Sequence, residues 1–146
     1  MSTLFQETTE RVTRASDEGN LPFPQVVRQI ADAGVERYYV DLVTGNRTYY
    51  GLEGDSACHN SYQSPPSVQQ FSAQGVEAAV RKIQAGKLGY RQFCDEIAAA
   101  GCVAYLVSLP GRRAVYYGRT GEAYTEMFPD NLLDLSANLV SDRLPR

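Results

Sequence analysis

One histidine and its neighbouring cysteine are the residues of this sequence that most directly suggest chemistry. His59 is the only histidine of the 146 residues, and it follows Cys58 directly. A cysteine beside a histidine invites comparison with a thiol nucleophile that is activated by a base. However, adjacent residues of a β-strand point to opposite faces, so these two side chains would not meet on a strand. We therefore expect an ordinary surface strand and predict no catalytic residue.

The two other cysteines are predicted to be structural. Cys94 and Cys102 stand 67 residues after Val27 and Val35 in an internal repeat, and free cysteine commonly serves as a small apolar core residue. No cysteine has the spacing of a metal ligand, and the sequence contains no zinc-protease, P-loop, dinucleotide-binding or nucleophile-elbow motif. We accordingly expect neither a metal nor another cofactor.

Tyrosine is unusually frequent, with ten tyrosines and no tryptophan. Several occur as adjacent pairs on predicted strands, and period-2 alternation places one tyrosine of each pair on the face away from the helices. An amphipathic ring on such a face suits ligand stacking or contact between subunits. The candidate ligand-binding residues of this face are Tyr39, Asp41, Tyr50, Ser108 and Tyr117.

The polarity of this face differs between its two halves. Tyr39 and Asp41 correspond, 67 residues later, to Leu106 and Ser108. A buried, unpaired carboxylate is costly, so Asp41 should have water, a hydrogen-bond partner or a cation nearby. A ligand on this face would meet tyrosine rings and one carboxylate, which favours a neutral or cationic amphipathic compound over a phosphate.

Arginines near the predicted hairpin turns suggest a second kind of contact. Arg47 is assigned to the first turn and Arg112 to the second, with further arginines close by. A guanidinium group binds anions well, so these two residues are candidate anion contacts at the sheet edge. The alternative is that they are simply solvated turn residues.

The elements that position these residues form two similar copies. Residues 9–54 align without gaps on residues 76–121, with sixteen identical positions. The identical positions fall on helix-ending glycines, core residues and turns, which backbone geometry and packing demand. They are Glu10, Arg14, Gly19, Leu21, Gln25, Ile30, Ala31, Ala33, Gly34, Tyr38, Val40, Leu42, Tyr49, Tyr50, Gly51 and Gly54, each with its partner 67 residues later. We predict one domain over residues 1–146, with pseudo-repeats at about 5–62 and 68–128.

Each copy is predicted to contain two helices, a hairpin and a third strand. Glycines end the helices, and a switch from helical to period-2 spacing marks the first strand of each copy, at 36–43 and 103–109. The third strands are predicted at 56–62 and 122–128, and a closing helix at about 131–142. Two or three strands are too few to be stable alone. The copies should therefore form an α+β fold with one shared antiparallel sheet, helices on one face, and a pseudo-twofold axis.

Composition and charge limit the partners. The net charge of −3 provides no basic field, so nucleic acid is not an expected partner. Residues 1–14 contain no apolar run, so we expect neither a signal peptide nor a membrane span. The predicted location is the cytoplasm, and no membrane partner is expected.

Three segments carry a resemblance to a known family. They are Phe23-Pro24-Gln25-Val26-Val27, the run from Ala33 to Val43, and Thr48-Tyr49-Tyr50-Gly51. These segments resemble the YbcV-like bacterial domain family of unknown function, which is often labelled "phage envelope protein". The resemblance extends over about residues 5–128. It implies a small cytosolic bacterial protein, with some relatives in prophage regions, and it supplies no catalytic residues.

These observations favour a non-enzymatic module that binds a small molecule or a peptide on the helix-free sheet face. One alternative is a phage-derived structural protein that forms a homodimer or larger homo-oligomer. Another is an enzyme of unknown class, which would need a concave site with converging titratable groups.

Overall fold

The computed structural model describes residues 3–66, 69–130 and 132. Within these ranges the chain forms two successive units with the same order of elements, helix, helix and three strands. The elements of the first unit are α1 (Thr3–Asp17), α2 (Phe23–Asp32), β1 (Val35–Asp41), β2 (Asn46–Gly51) and β3 (Ser56–Asn60). Those of the second are α3 (Ala73–Gln84), α4 (Tyr90–Ala99), β4 (Cys102–Ser108), β5 (Arg113–Gly118) and β6 (Ala123–Met127). The closing helix predicted at 131–142 lies outside the described residues, except for Leu132.

The six strands form one antiparallel sheet in the order β3-β2-β1-β4-β5-β6. Each unit is a three-stranded meander, and the two meanders meet where β1 pairs with β4. Both units carry a register shift at the same place, between Val35 and Arg37 in β1 and between Cys102 and Ala104 in β4. The predicted α+β fold with a shared antiparallel sheet is confirmed.

Glycines end the first helix of each unit, as predicted. Gly19 has φ 75° and Gly86 has φ 74°, a left-handed conformation that a residue with a Cβ atom adopts only with strain. The backbone can therefore turn directly into the second helix, which packs beside the first.

The helices cover one face of the sheet. Tyr38, Val40 and Tyr49 point toward the helices and are at most 2% exposed. Ile30 of α2 and Ile97 of α4 are fully buried in the same core. Intervening strand residues such as Tyr39 point to the other face, so the alternation predicted for β1 is observed. In the described ranges, no helix is both long and apolar enough to cross a membrane.

Candidate functional site

Four hydroxyl residues of α1 are buried, Thr8, Thr9, Thr13 and Ser16, where an apolar stripe would be the usual arrangement. Three of them, Thr9, Thr13 and Ser16, contact side chains of β2 or β3. Their counterparts in α3, 67 positions later, are Val76, Val80 and Ile83. The first unit therefore has a polar lining beneath its first helix where the second unit has ordinary apolar packing.

Arg47 is the charged residue beneath this lining. It lies in β2 and is 1% exposed, and its counterpart in β5 is Ala114. Its guanidinium carbon is 5.3 Å from the ring centre of Tyr38 and 4.9 Å from that of Tyr90. Nη2 lies 3.5 Å from Ser16 Oγ, and Nε has no hydrogen-bond partner among the described residues.

The charge of Arg47 is not neutralised by a neighbouring acid. Among the described residues, no aspartate or glutamate forms an ion pair with it. Removing an ion from water costs several kcal/mol, and here aromatic ring faces and hydroxyl oxygens replace only part of the lost solvation. The interior of the first unit therefore carries an uncompensated positive charge.

A chain of hydrogen bonds leads from Arg47 to α1. Thr13 donates its hydroxyl proton to the Thr9 carbonyl at 2.7 Å. Tyr49 must then be the donor in its 2.8 Å contact with the Thr13 oxygen. Arg47 Nη1 in turn donates to the Tyr49 hydroxyl at 3.4 Å. The polar residues of α1 and β2 thus form one connected network.

His59 joins this network from the edge strand. It lies in β3 opposite Arg47 of β2, on the face toward the helices. Its Nε2 is 2.7 Å from Thr9 Oγ1, and its ring centre is 6.0 Å from that of Tyr49. Burial lowers the pKa of His59 below its ordinary value, against the opposing influence of Glu10. The imidazole is therefore neutral at physiological pH.

A cleft of about 350 Å³ opens beside His59. We call it the α1–β3 cleft, because α1 and β3 supply six of its eight lining residues; Glu18 directly follows α1, and Arg91 belongs to α4. The lining residues are Glu10, Thr13, Arg14, Asp17, Glu18, His59, Asn60 and Arg91. Its walls are mostly charged and are suited to a small polar ligand.

In the second unit an ion-pair network bridges the equivalent helix and strand. Arg81 of α3 donates to Glu126 of β6 at 2.8 Å and to Glu77 of its own helix at 3.2 Å. Tyr124 also donates to Glu126, at 2.7 Å. These contacts tie α3 directly to β6.

The first unit keeps only half of this network. Arg14 and Glu10, the counterparts of Arg81 and Glu77, form a loose pair at 3.8 Å. The position of Glu126 is taken by His59, which bonds to Thr9 instead of Arg14. The replacement of one acid by histidine therefore leaves the cleft unbridged.

The tyrosines predicted for binding lie on the helix-free face, as expected from strand alternation. Tyr39 is 38% exposed, and Tyr50 and Tyr117 are half-buried. Arg37 lies over the Tyr50 ring at 4.2 Å. The three rings are spread over β1, β2 and β5, in a span of four neighbouring strands. Their role in binding stays a prediction.

Asp41 and Ser108, the two other residues predicted for this face, stabilise turns. Asp41 Oδ1 accepts hydrogen bonds from the backbone N–H groups of Val43 at 2.9 Å and Thr44 at 3.2 Å. Ser108 Oγ accepts from the N–H of Gly111 at 2.8 Å. The two residues occupy equivalent positions, and each accepts backbone hydrogen bonds from the turn that follows its strand. The hydrogen-bond partners expected for the Asp41 carboxylate are thus the backbone N–H groups of the adjacent turn.

The two arginines predicted as anion contacts lie in different environments. The assignment of Arg47 to the turn is wrong, because it is the second residue of β2 and is buried under the helices. Arg112 does lie in a turn, with φ 57°, and its Nη2 donates to the carbonyl and carboxylate oxygens of Asp130 at 2.9 and 3.2 Å. They do not form one site at the sheet edge.

The thiols do not approach the histidine. Cys58 is exposed and pairs with Thr48 on the helix-free face, whereas His59 faces the helices. Burial raises the pKa of Cys94 to about 12 and that of Cys102 to about 11. In the described ranges, no group of three His, Cys, Asp or Glu side chains could hold a metal ion.

The polar lining was not predicted from the sequence, although a comparison of the two repeats contains the information needed to find it. Comparison of the units showed which positions are identical, but the informative positions are those where a hydroxyl or a charge replaces an apolar residue. Thr9 against Val76, Thr13 against Val80, and Arg47 against Ala114 form such a set. All of them face the core, so these substitutions distinguish the first unit as the one with buried polar side chains.

The comparison with protein families concerns mainly the second unit. Residues 57–127 match the model of a family described as "Protein of unknown function (DUF1398)". The match begins in β3 and continues to the end of β6, so it includes His59 but not α1 or Arg47. No curated protein matches the chain.

Proposed function

We propose that this protein is a non-enzymatic binding module for a small polar molecule and that the α1–β3 cleft is its binding site. The observation that carries this proposal is the difference between the two units. The same fold is built twice, and the second unit shows that Val76, Val80 and Ala114 pack its core without buried polar groups. The hydroxyls and the guanidinium of the first unit are therefore dispensable for this architecture. Binding gives them a role.

The geometry favours binding over catalysis. Thr9 is the nucleophile candidate nearest to His59, but its hydroxyl lies 2.8 Å from the Phe5 carbonyl, which can only accept a proton. Its proton is thereby committed to the helix and is not available to the imidazole. Cys58 lies on the opposite face of the sheet. Neither pair provides a nucleophile activated by a base.

The test compares two surfaces of the same protein. His59→Glu restores the acid found at the equivalent position of the second unit, so Arg14 can bridge the cleft as Arg81 does. Tyr39→Ala alters the helix-free face and leaves the cleft intact. Native mass spectrometry of protein purified from its host should show a retained small molecule in the unaltered protein and in Tyr39→Ala, but not in His59→Glu. Retention by His59→Glu and loss from Tyr39→Ala would place the binding site on the sheet face.

A second candidate function is assembly through the helix-free face. Tyr39 is 38% exposed and Met127 is 53% exposed on this face, so it offers large side chains for contact with a partner. A phage-derived interaction protein, as the YbcV-like resemblance implies, would use this surface for a homodimer or a peptide. Sedimentation equilibrium of the unaltered protein and of Tyr39→Arg tests this role, because a dimer on this face should dissociate in the variant.

The cysteines support a location in the cytoplasm. All three are free, and two of them are buried without a disulfide partner. Such thiols persist in a reducing compartment.

A further inference from the structure

The proton positions around His59 can be assigned from its contacts. Thr9 Oγ1 lies 2.8 Å from the Phe5 carbonyl oxygen and 2.7 Å from His59 Nε2. The carbonyl has no proton, so Thr9 must donate to it. His59 Nε2 must then carry the proton that it shares with Thr9. This is the only arrangement in which both short contacts are hydrogen bonds.

The other nitrogen of His59 is therefore an acceptor. In the neutral ring, protonation at Nε2 leaves a lone pair on Nδ1. Among the described residues, Nδ1 has no hydrogen-bond partner, and His59 lines the α1–β3 cleft. His59, a lining residue of the cleft, thus carries an acceptor nitrogen without a donor among the described residues.

The charges of the cleft favour a donor that is positively charged. Its lining includes three carboxylates and two guanidinium groups, which are Glu10, Asp17, Glu18, Arg14 and Arg91. Arg91 Nε is already bonded to the Asp17 carbonyl at 3.0 Å, and its guanidinium lies 5.5 Å from the ring centre of Tyr62. The carboxylates outnumber the guanidinium groups by one, and the acceptor nitrogen also attracts a positive charge, so the balance favours a cation over an anion.

We propose that the α1–β3 cleft binds a small compound that carries a protonated amine, with His59 Nδ1 accepting a hydrogen bond from the ammonium group. This proposal rests on the binding function of the cleft and names its ligand class. The carboxylates of Glu10 and Asp17 neutralise the ammonium charge. The lining also contains the guanidinium groups of Arg14 and Arg91, so the ligand class includes amino acid-like zwitterions as well as simple amines.

Protonation of His59 should oppose this binding. Below its pKa the imidazole carries a second proton on Nδ1 and a positive charge, so it repels an ammonium group. The charged and titratable groups around it are Glu10, Arg14 and Asp17 of α1, Glu18 directly after α1, Arg47 and Tyr49 of β2, and Arg91 of α4. By linkage, an amine that prefers the neutral imidazole must lower the pKa of His59 further, whereas a carboxylate must raise it.

The experiment uses His59 as its own reporter, since the chain has one histidine. The ring resonances of the unaltered protein are titrated by NMR from about pH 4 to about pH 8, a range that contains the ordinary histidine pKa of about 6.5. Titrations are repeated with saturating butylamine, 4-aminobutyrate and butyrate, which differ in their end groups. The nitrogen shifts of His59 also report directly which nitrogen is protonated.

Butylamine and 4-aminobutyrate should each lower the pKa of His59, and their affinities should fall about 10-fold or more as the ring is protonated. Butyrate should not bind to the neutral form. His59→Gln keeps a hydrogen-bonding side chain without the titration, so binding of butylamine to this variant should not change across the histidine range. A proton on Nδ1 in the free protein, or tighter binding of butyrate than of the amines, overturns the proposal.

The outcomes also separate this proposal from the binding function itself. If neither amine shifts the His59 resonances but a host compound is retained by the unaltered protein and lost from His59→Glu, the cleft is a binding site and the amine proposal is wrong. If His59→Glu retains the host compound, the assignment of the cleft fails. Glu126→His is the matched control for both, because it changes the equivalent position of the second unit.

Discussion

Tyr39 of β1 lies directly opposite Leu106 of β4 in the middle of the sheet. The two residues are 67 positions apart and occupy the same place in the two units, so the local pseudo-twofold axis passes between them. The axis relates Arg37 to Ala104 and Asp41 to Ser108, each 67 positions later in the sequence. The axis allows every polar residue of one unit to be compared with its counterpart in the other.

The central helix residues should be equally important in the two units. Ile30→Ala and Ile97→Ala each remove a fully buried side chain, so each should lower the free energy of unfolding by about 2–4 kcal/mol. Urea denaturation followed by circular dichroism measures this loss. A loss below about 1 kcal/mol in one variant would show that its helix face contributes little to the core.

Arg47 allows the effects of packing and charge to be separated. Arg47→Met keeps most of the side-chain length and removes a desolvated charge, so its unfolding free energy should stay within about 1 kcal/mol of the unaltered protein. Arg47→Ala leaves a cavity and should cost about 3 kcal/mol. Chemical denaturation of both variants gives the comparison. Equal losses would mean that the hydrogen bonds and ring contacts of the guanidinium outweigh its desolvation.

The turn contacts of Asp41 and Ser108 should contribute to stability in both hairpins. Asp41→Ala and Ser108→Ala each remove an acceptor of backbone hydrogen bonds, and each should lower the free energy of unfolding by about 1 kcal/mol. Asp41→Asn retains a side-chain oxygen at the same place and is the control. If Asp41→Asn is as unstable as Asp41→Ala, the charge of Asp41 matters and the turn contact does not.

Acid should weaken the link between α3 and β6. Burial works against the charge of Glu126, but hydrogen bonds from Arg81 and Tyr124 outweigh it and hold the Glu126 pKa below its ordinary value. A carboxyl group with a depressed pKa in the folded state stabilises the protein above its unfolded pKa. This stabilisation is lost as the pH falls through the folded value. In Glu126→Gln, the unfolding free energy should therefore decline less between about pH 5 and about pH 3 than in the unaltered protein. An identical decline in both proteins would contradict the assignment.

The fold was predictable because its main signals are local. Gly19 and Gly86 end helices by backbone conformation, and the alternation of Tyr38, Tyr39 and Val40 depends only on strand geometry. A shared sheet follows because two or three strands are too few to be stable alone, but the sequence did not predict that β1 and β4 are the strands that pair at its centre. These features need no knowledge of side-chain partners.

The site was harder to predict because its residues act across elements. Thr9, Arg47 and His59 are distant in sequence, and each has an ordinary local explanation as a helix, turn or edge-strand residue. Arg47 follows a turn in the sequence, but strand alternation directs it into the core. Its burial depends on Tyr90, which belongs to the other unit, and no local pattern reveals such a contact.

The three thiols differ in exposure, so the folded protein has one cysteine that a thiol-reactive label can modify. Only Cys58 is exposed, and burial keeps Cys94 and Cys102 protonated at neutral pH. An alkylating dye should therefore modify Cys58 alone in the folded protein. Because this side chain leaves the sheet on the face opposite His59, the dye would sense events on the helix-free face without entering the cleft. Fluorescence from one label could thus distinguish a partner that covers the sheet from a ligand that binds beneath α1.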